Sequence, residues 1–113
     1  MIKAIVLLSR KEGMSPEEFR RYVEERHGPL VQQLPGLRRL VINYVHANPA
    51  GPAPAYDAVA EDWFDSLEAM QAAFGSSVGQ AVQQDSHNFL DLSRMQILVA
   101  EEREVPIATP AGG

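Results

Sequence analysis

Residues 15–39, SPEEFRRYVEERHGPLVQQLPGLRR, hold the clearest helix start in the chain, an amphipathic face, and an interruption at His27-Gly28-Pro29. Ser15 as N-cap, Pro16 at the first helical position and Glu18 three residues on form a capping box. Each residue meets a separate need of the helix end. Ser15 accepts from orphan amides, Pro16 lacks an amide that would go unpaired, and Glu17 and Glu18 complement the dipole. Phe19, Tyr22, Val23, Leu30 and Leu34 follow a helical spacing, so this helix packs on a sheet. Pro29 cannot donate to the carbonyl of Glu25, and its ring clashes there. The helix is therefore predicted to kink or stop near His27-Gly28, with a short second piece from Pro29 to Leu34. Pro35-Gly36 terminates it.

Upstream, Ile2 to Ser9 reads as the first strand, with Ile2, Ala4, Val6 and Leu8 on one face and Ile5 and Leu7 on the other. Downstream, Leu37 to His46 is the second strand: Leu40, Ile42, Tyr44 and His46 share one face, Val41, Asn43 and Val45 the other. The segment ANPAGPAPA (residues 47–55) is a loop. Tyr56 to Phe64 is the third strand, with Val59, Glu61 and Trp63 on one side. Asp65 and Glu68 read as a second capping box, followed by an apolar stripe of Leu67, Met70 and Phe74. Gly75-Ser76-Ser77 breaks that helix. Val78 to Gln84 adds a short helical turn, Asp85 to Leu92 an irregular connection, and Met95 to Val105 the fourth strand. A single domain over residues 1–105 is expected, with residues 106–113 as a flexible tail.

The order β-α-β-β-α-β is the ferredoxin-like, split βαβ arrangement: an α+β fold with a four-stranded antiparallel sheet and helices on one face. Two helices cover one face only. The other face, from the first and fourth strands especially, is apolar enough to be costly if left wet. A homodimer with the two sheets packed face to face satisfies it, and this is the predicted assembly.

Composition narrows the function classes. The 113 residues are 45% hydrophobic and 22% charged, close to the globular average. A net charge of −5 argues against a nucleic-acid partner, since phosphate binding needs a basic patch. No cysteine is present, which excludes disulfides, thiolate metal sites and a cysteine nucleophile. No stretch reaches the about 20 apolar residues that a membrane span needs, so no membrane partner is expected and the default location is the cytoplasm.

With the elements placed, the motifs SPEEFRRY, RHGPLVQQLPGLRR and YDAVAEDWFDSLEAMQAAFGS, and more loosely DSHNFLDL, resemble the EthD family of the dimeric α+β barrel superfamily. The resemblance spans nearly the whole chain. It implies likeness to cofactor-free enzymes acting on lactones and aromatic polyketides, such as isomerases, dehydratases and decarboxylases. The chain departs from the family pattern in the second strand, where glutamine and histidine commonly stand at the positions of Ile42 and Tyr44.

Several residues invite a chemical reading. His27 closes the first helix; imidazole titrates near neutral pH and suits general acid/base work, or it simply caps a helix end. The HGP motif, by resemblance, favours the first reading. Tyr44 is paired with it as the second catalytic candidate, since a phenol polarises a carbonyl. Tyr22 and His46 are candidates for substrate binding, with a solvated strand end as the alternative for His46. Glu61 beside Trp63 is a setting in which desolvation raises a carboxyl pKa and an aromatic wall forms; the alternative is a core tryptophan with Glu61 paired across the sheet. His27, His46 and His87 are too scattered for a metal site, and no phosphate loop, nucleophile elbow or dinucleotide fingerprint appears. No metal and no cofactor are expected. The residues thus point to a cofactor-free enzyme moving a proton on a small hydrophobic carbonyl or lactone compound, with a non-catalytic homodimeric binding or accessory protein as the alternative.

Overall fold

The computed structural model describes residues 1–109. Its elements are β1 (Ile2–Leu8), α1 (Pro16–Tyr22), a π-helical turn (Val23–His27), α2 (Gly28–Val31), β2 (Arg39–Tyr44), β3 (Ala58–Phe64), α3 (Leu67–Gly75), α4 (Ser77–Ser86) and β4 (Gln96–Glu101). All strand pairs are antiparallel, in the order β2-β3-β1-β4. This is the ferredoxin-like α+β arrangement, with the first and third strands central. Among the described residues, no helix is long and apolar enough to cross a membrane.

The capping box at the head of α1 forms as the sequence predicts. Ser15 Oγ accepts from the Glu18 amide at 3.1 Å, and the Glu18 carboxylate accepts from the Ser15 amide at 3.4 Å. The predicted kink or stop near His27-Gly28 takes the form of a π turn and not of a stop. The backbone stays helical from Pro16 to Val31 by widening through the π turn, where the Gly28 amide donates to the Val23 carbonyl. The wider turn relieves the proline ring, and Pro29 then falls in the first turn of α2, where a missing amide matters least. Gly28 is required at this point, because a Cβ would lie 2.9 Å from the Val23 carbonyl oxygen.

Other boundaries also differ. Ser66, not Asp65, caps α3 by accepting from the Ala69 amide, and Asp65 instead pairs with Arg38 at 2.7 Å. The segment after Ser76 is a full ten-residue helix rather than a short turn, so Asp85 is helical. Ser76 makes this possible by accepting from the Gly79 amide as an N-cap. β2 ends at Tyr44, leaving His46 in the loop, and β4 ends at Glu101. Residues 103–109 are exposed and irregular; residues 110–113 of the expected tail lie outside the described residues.

The inner face of the sheet is set by strict alternation. Ala58, Ala60, Asp62 and Phe64 of β3 face the helices, as do Ala4 and Leu8 of β1, all of them buried. The core has two halves. One gathers Phe19, Val23, Phe89 and Leu90 over Leu8, Ala58 and Ala60; the other gathers Val31, Leu34, Met70 and Ala73 over Ala4 and Phe64. The alanines on the sheet floor leave the room between these halves unfilled.

The helix layer stops short of β4. Ile97 and Val99, whose partners Val6 and Ala4 place them on the helix side, are 54% and 52% exposed, and Leu98 on the opposite side is 49% exposed. The edge strand is thus apolar and open on both sides.

Candidate active site

Between the two halves of the core lies a cavity of about 230 Å³. Its walls are apolar side chains from every strand and from α2, α3 and α4, and its titratable side chains are two: His27 from the helix layer and Asp62 from the sheet. Gln83 and Ser86 of α4 add neutral polar groups, and Met95 and Ile97 carry the lining out to the exposed edge strand.

The π turn positions His27. Its ring packs on Phe89 at 4.6 Å between centroids, and Nδ1 lies 2.8 Å from Oδ2 of Asp85 in α4. Tyr22 donates to the other oxygen of the same carboxylate at 2.6 Å, and Asn88 donates there at 3.2 Å. Burial pushes the Asp85 carboxyl up, but the bonds from Tyr22, His27 and Asn88 outweigh it and hold the group below its ordinary range. An ionised carboxylate can only accept, so the His27 proton sits on Nδ1. Nε2 then carries a bare lone pair and bonds no described residue. Burial lowers the His27 pKa, and the bond and charge of Asp85 only partly oppose it. The ring is accordingly neutral at physiological pH, with a basic nitrogen available at an apolar cavity. This is the tautomer and state that a general base needs.

Asp62 faces the same cavity from the sheet. It is 4% exposed, its cross-strand neighbours are Ala4 and Leu40, and its Oδ1 has no hydrogen-bond partner. Desolvation raises its pKa from 3.8 to about 6. Nothing nearby compensates the charge.

The remaining candidates are scattered. Tyr44 does not line the cavity; it packs beside it under the Arg20 guanidinium, 4.0 Å from the ring centre, and faces a surface groove shared with His46 and Asp57. Burial, then the charge of Glu24, raises its pKa. His46 is exposed in that groove beyond the end of β2. Tyr22 is linked to His27 through Asp85, and both rings pack on Phe89. Glu61 and Trp63 lie on the opposite face of the sheet. There Glu61 takes a 3.0 Å bond from Lys3, which with Asn43 holds its pKa down, not up. Trp63 is covered by Lys3 and Arg39 at 4.9 and 4.6 Å from its ring. Neither forms a wall of the cavity.

Asp62 and Asp85 are the functional candidates that reading the sequence missed. Asp62 had a signal: placing Val59, Glu61 and Trp63 on one face puts Asp62 with Ala58, Ala60 and Phe64 on the buried one. Asp85 had none, since it stands 58 positions from His27 in a helix longer than its weak apolar pattern suggests.

Residues 11–93 match the EthD domain. The chain belongs to the EthD family. It is 31% identical over 91 residues to an uncharacterised 11.0 kDa protein from the thcB–thcC intergenic region of Rhodococcus erythropolis, across 80% of this chain and 87% of that one. It is 32% identical over 87 residues to the 4-carboxymethyl-4-methylbutenolide mutase of Pseudomonas reinekei, across 72% of this chain and 80% of the mutase. Among solved structures, an EthD family protein of Bacillus halodurans superposes with a TM-score of 0.80 at 25% identity, covering 91% of this chain and 99% of that one.

The orphaned acid makes a stability prediction for this EthD protein. Asp62 binds its proton more tightly folded than unfolded, so its penalty is fully present above about pH 6 and disappears below the unfolded value of 3.8. A rise from 3.8 to about 6 corresponds to roughly 3 kcal/mol. Asp62→Leu is expected to raise stability by up to about that amount at pH 8 and to lose the advantage near pH 4, measured by urea unfolding against the parent protein.

Proposed function

We propose that this EthD protein is a cofactor-free enzyme of the isomerase or lyase type, which moves a proton beside the carbonyl of a small, largely apolar lactone or ketone. The observation that carries this reading is His27 at the cavity. Its Nδ1 is anchored to an ionised Asp85 that also holds Tyr22, and its second nitrogen is free to abstract a proton. Isomerisation, dehydration and decarboxylation beside a carbonyl all pass through an enolate-like state, and a base positioned in a dry site serves each of them.

Cavity size favours a small substrate. An apolar cavity of about 150 Å³ takes benzene, so the present one suits a five- or six-membered ring with a short substituent. The mutase relative acts, by its name, on a butenolide, which falls in that range. Tyr22 acts behind Asp85 as a positioning residue, not at the substrate. Tyr44 and His46 have no part in this reading.

The same reading includes a homodimer. Leu98 leaves an apolar side chain open on the outer face of the sheet, beside half-buried Ile5 and Leu7 on the same face. A second copy packed sheet to sheet removes this surface from water. Light scattering is expected to give twice the chain mass for the parent protein and the single mass for Leu98→Asp.

The activity test uses α-angelica lactone, a small enolisable butenolide, in deuterated buffer, with solvent exchange and double-bond migration followed by proton NMR. The parent protein is expected to accelerate both. His27→Ala is expected to lower the rate at least about 100-fold, the usual share of a general base. A His27→Ala protein that matches the parent rate would refute the assignment.

A further inference from the structure

Among the described residues, the Asp62 carboxyl is the buried titratable group on the cavity wall that the proton-transfer reading leaves unused. It lines the cavity from the sheet while His27 lines it from the helices. It is 4% exposed, and Oδ1 lacks any partner. A buried, unpaired acid is strongly disfavoured in a fold unless something other than folding retains it. Hydrophobic neighbours on both flanking strands, Ala4 and Leu40, show that the surrounding sheet has no use for a polar side chain here.

We infer that Asp62 is a catalytic residue of this site: in its acid form it donates a hydrogen bond to the carbonyl oxygen of the substrate, across the cavity from His27. The inference rests on the proton-transfer reading and gives it an oxyanion partner. When Nε2 of His27 takes the proton from the carbon beside the carbonyl, the C–H electron pair moves into the enolate. The negative charge develops on the oxygen that Asp62 holds. The imidazolium then returns the proton to the γ-carbon, the double bond shifts, and both side chains regain their starting states. No atom or electron is left over, and no co-reactant is needed.

The arrangement also defines a substrate class. Among the described residues, no lysine or arginine lines the cavity, so a carboxylate on the substrate has no cationic partner there and is repelled by any ionised Asp62. The part of the substrate that enters is an uncharged, enolisable carbonyl ring. Any acidic substituent stays at the mouth beside Met95 and Ile97.

A carbonyl oxygen accepts only from the protonated acid, so binding is coupled to proton uptake. The groups facing Asp62 limit what else can titrate. Among the described residues, His27 is the only other ionisable side chain on the cavity wall, α4 presents Val82 and the neutral polar Gln83 and Ser86, and β1, β2, β4 and α3 present apolar groups. Asp85 lies behind His27. Protonation of His27 weakens a base at low pH, the opposite direction from the Asp62 effect, so the two are separable.

The test is the affinity of γ-valerolactone, a saturated and slowly reacting carbonyl probe, for the full chain between about pH 5 and 8, read by NMR titration. For the parent protein the dissociation constant is expected to rise as pH climbs through the Asp62 range, approaching about tenfold per pH unit above it. Asp62→Asn, whose amide still donates, is expected to bind with little pH dependence. Asp62→Leu, which folds stably but has no donor, is expected to slow butenolide exchange by about 100-fold or more, the usual loss for one oxyanion donor. A flat pH profile in the parent protein, no binding anywhere in that range, or unchanged exchange in Asp62→Leu would each overturn the inference. The two readings fail separately. If His27→Ala exchanges as fast as the parent while Asp62→Asn still flattens the profile, the base assignment falls and the carbonyl anchor stands. If His27→Ala abolishes exchange but the parent profile is flat, the reverse holds.

Discussion

The carboxylate of Asp85 ties the molecule together where it matters. It accepts from Tyr22 and from Nδ1 of His27 on the first helical segment and from Asn88 just beyond α4, so two helical segments that meet mainly through apolar contacts also share one charge-assisted junction. Without it, His27 has neither a fixed tautomer nor a fixed ring plane. The aromatic stack of Phe19 and Tyr22 on Phe89 closes the same corner, with ring centroids 5.8 and 4.9 Å apart. Geometry and tautomer of the base are thus set by a group that does not line the cavity.

The π turn is the second constraint. A proline in mid-helix normally breaks the ladder, and His27-Gly28-Pro29 predicts such a break. The chain instead inserts one wider turn, and that turn carries His27 inward, where an uninterrupted α-helix turns its side chains at a different pitch. A glycine is needed beside it because the approach to the Val23 carbonyl leaves no room for a Cβ. The motif that looked like an interruption therefore acts as an aiming device for the candidate base.

Much of the fold was legible because local signals and the packing agree: the Ser15 capping box, the alternation of β1 and β3, and the element order. What failed did so for identifiable reasons. Asp65 has the look of a cap because it opens an acidic, helix-like stretch, but its carboxylate is engaged by Arg38 and Ser66 does the capping. The weak apolar pattern of residues 77–86 concealed a full helix, and with it the reach of Asp85 to His27. At the site, His27 was visible through its motif. Glu61 and Trp63 attracted notice as an acid beside an aromatic, yet alternation puts them on the far face, where Lys3 accounts for both. The acid that meets the cavity is the neighbouring Asp62. A buried polar residue is inconspicuous in sequence for the same reason that it is informative in structure: it breaks the local pattern without any local compensation.

Proton transfer at this site depends on the state of His27. Nitrogen-15 correlation NMR on the folded protein, followed across about pH 5 to 8, reads the tautomer and the titration of this one ring. A neutral ring with its proton on Nδ1, a bare Nε2 and a midpoint below the ordinary 6.5 is what the Asp85 junction and the apolar cavity require. A proton on Nε2, or a midpoint above 6.5, would contradict the account.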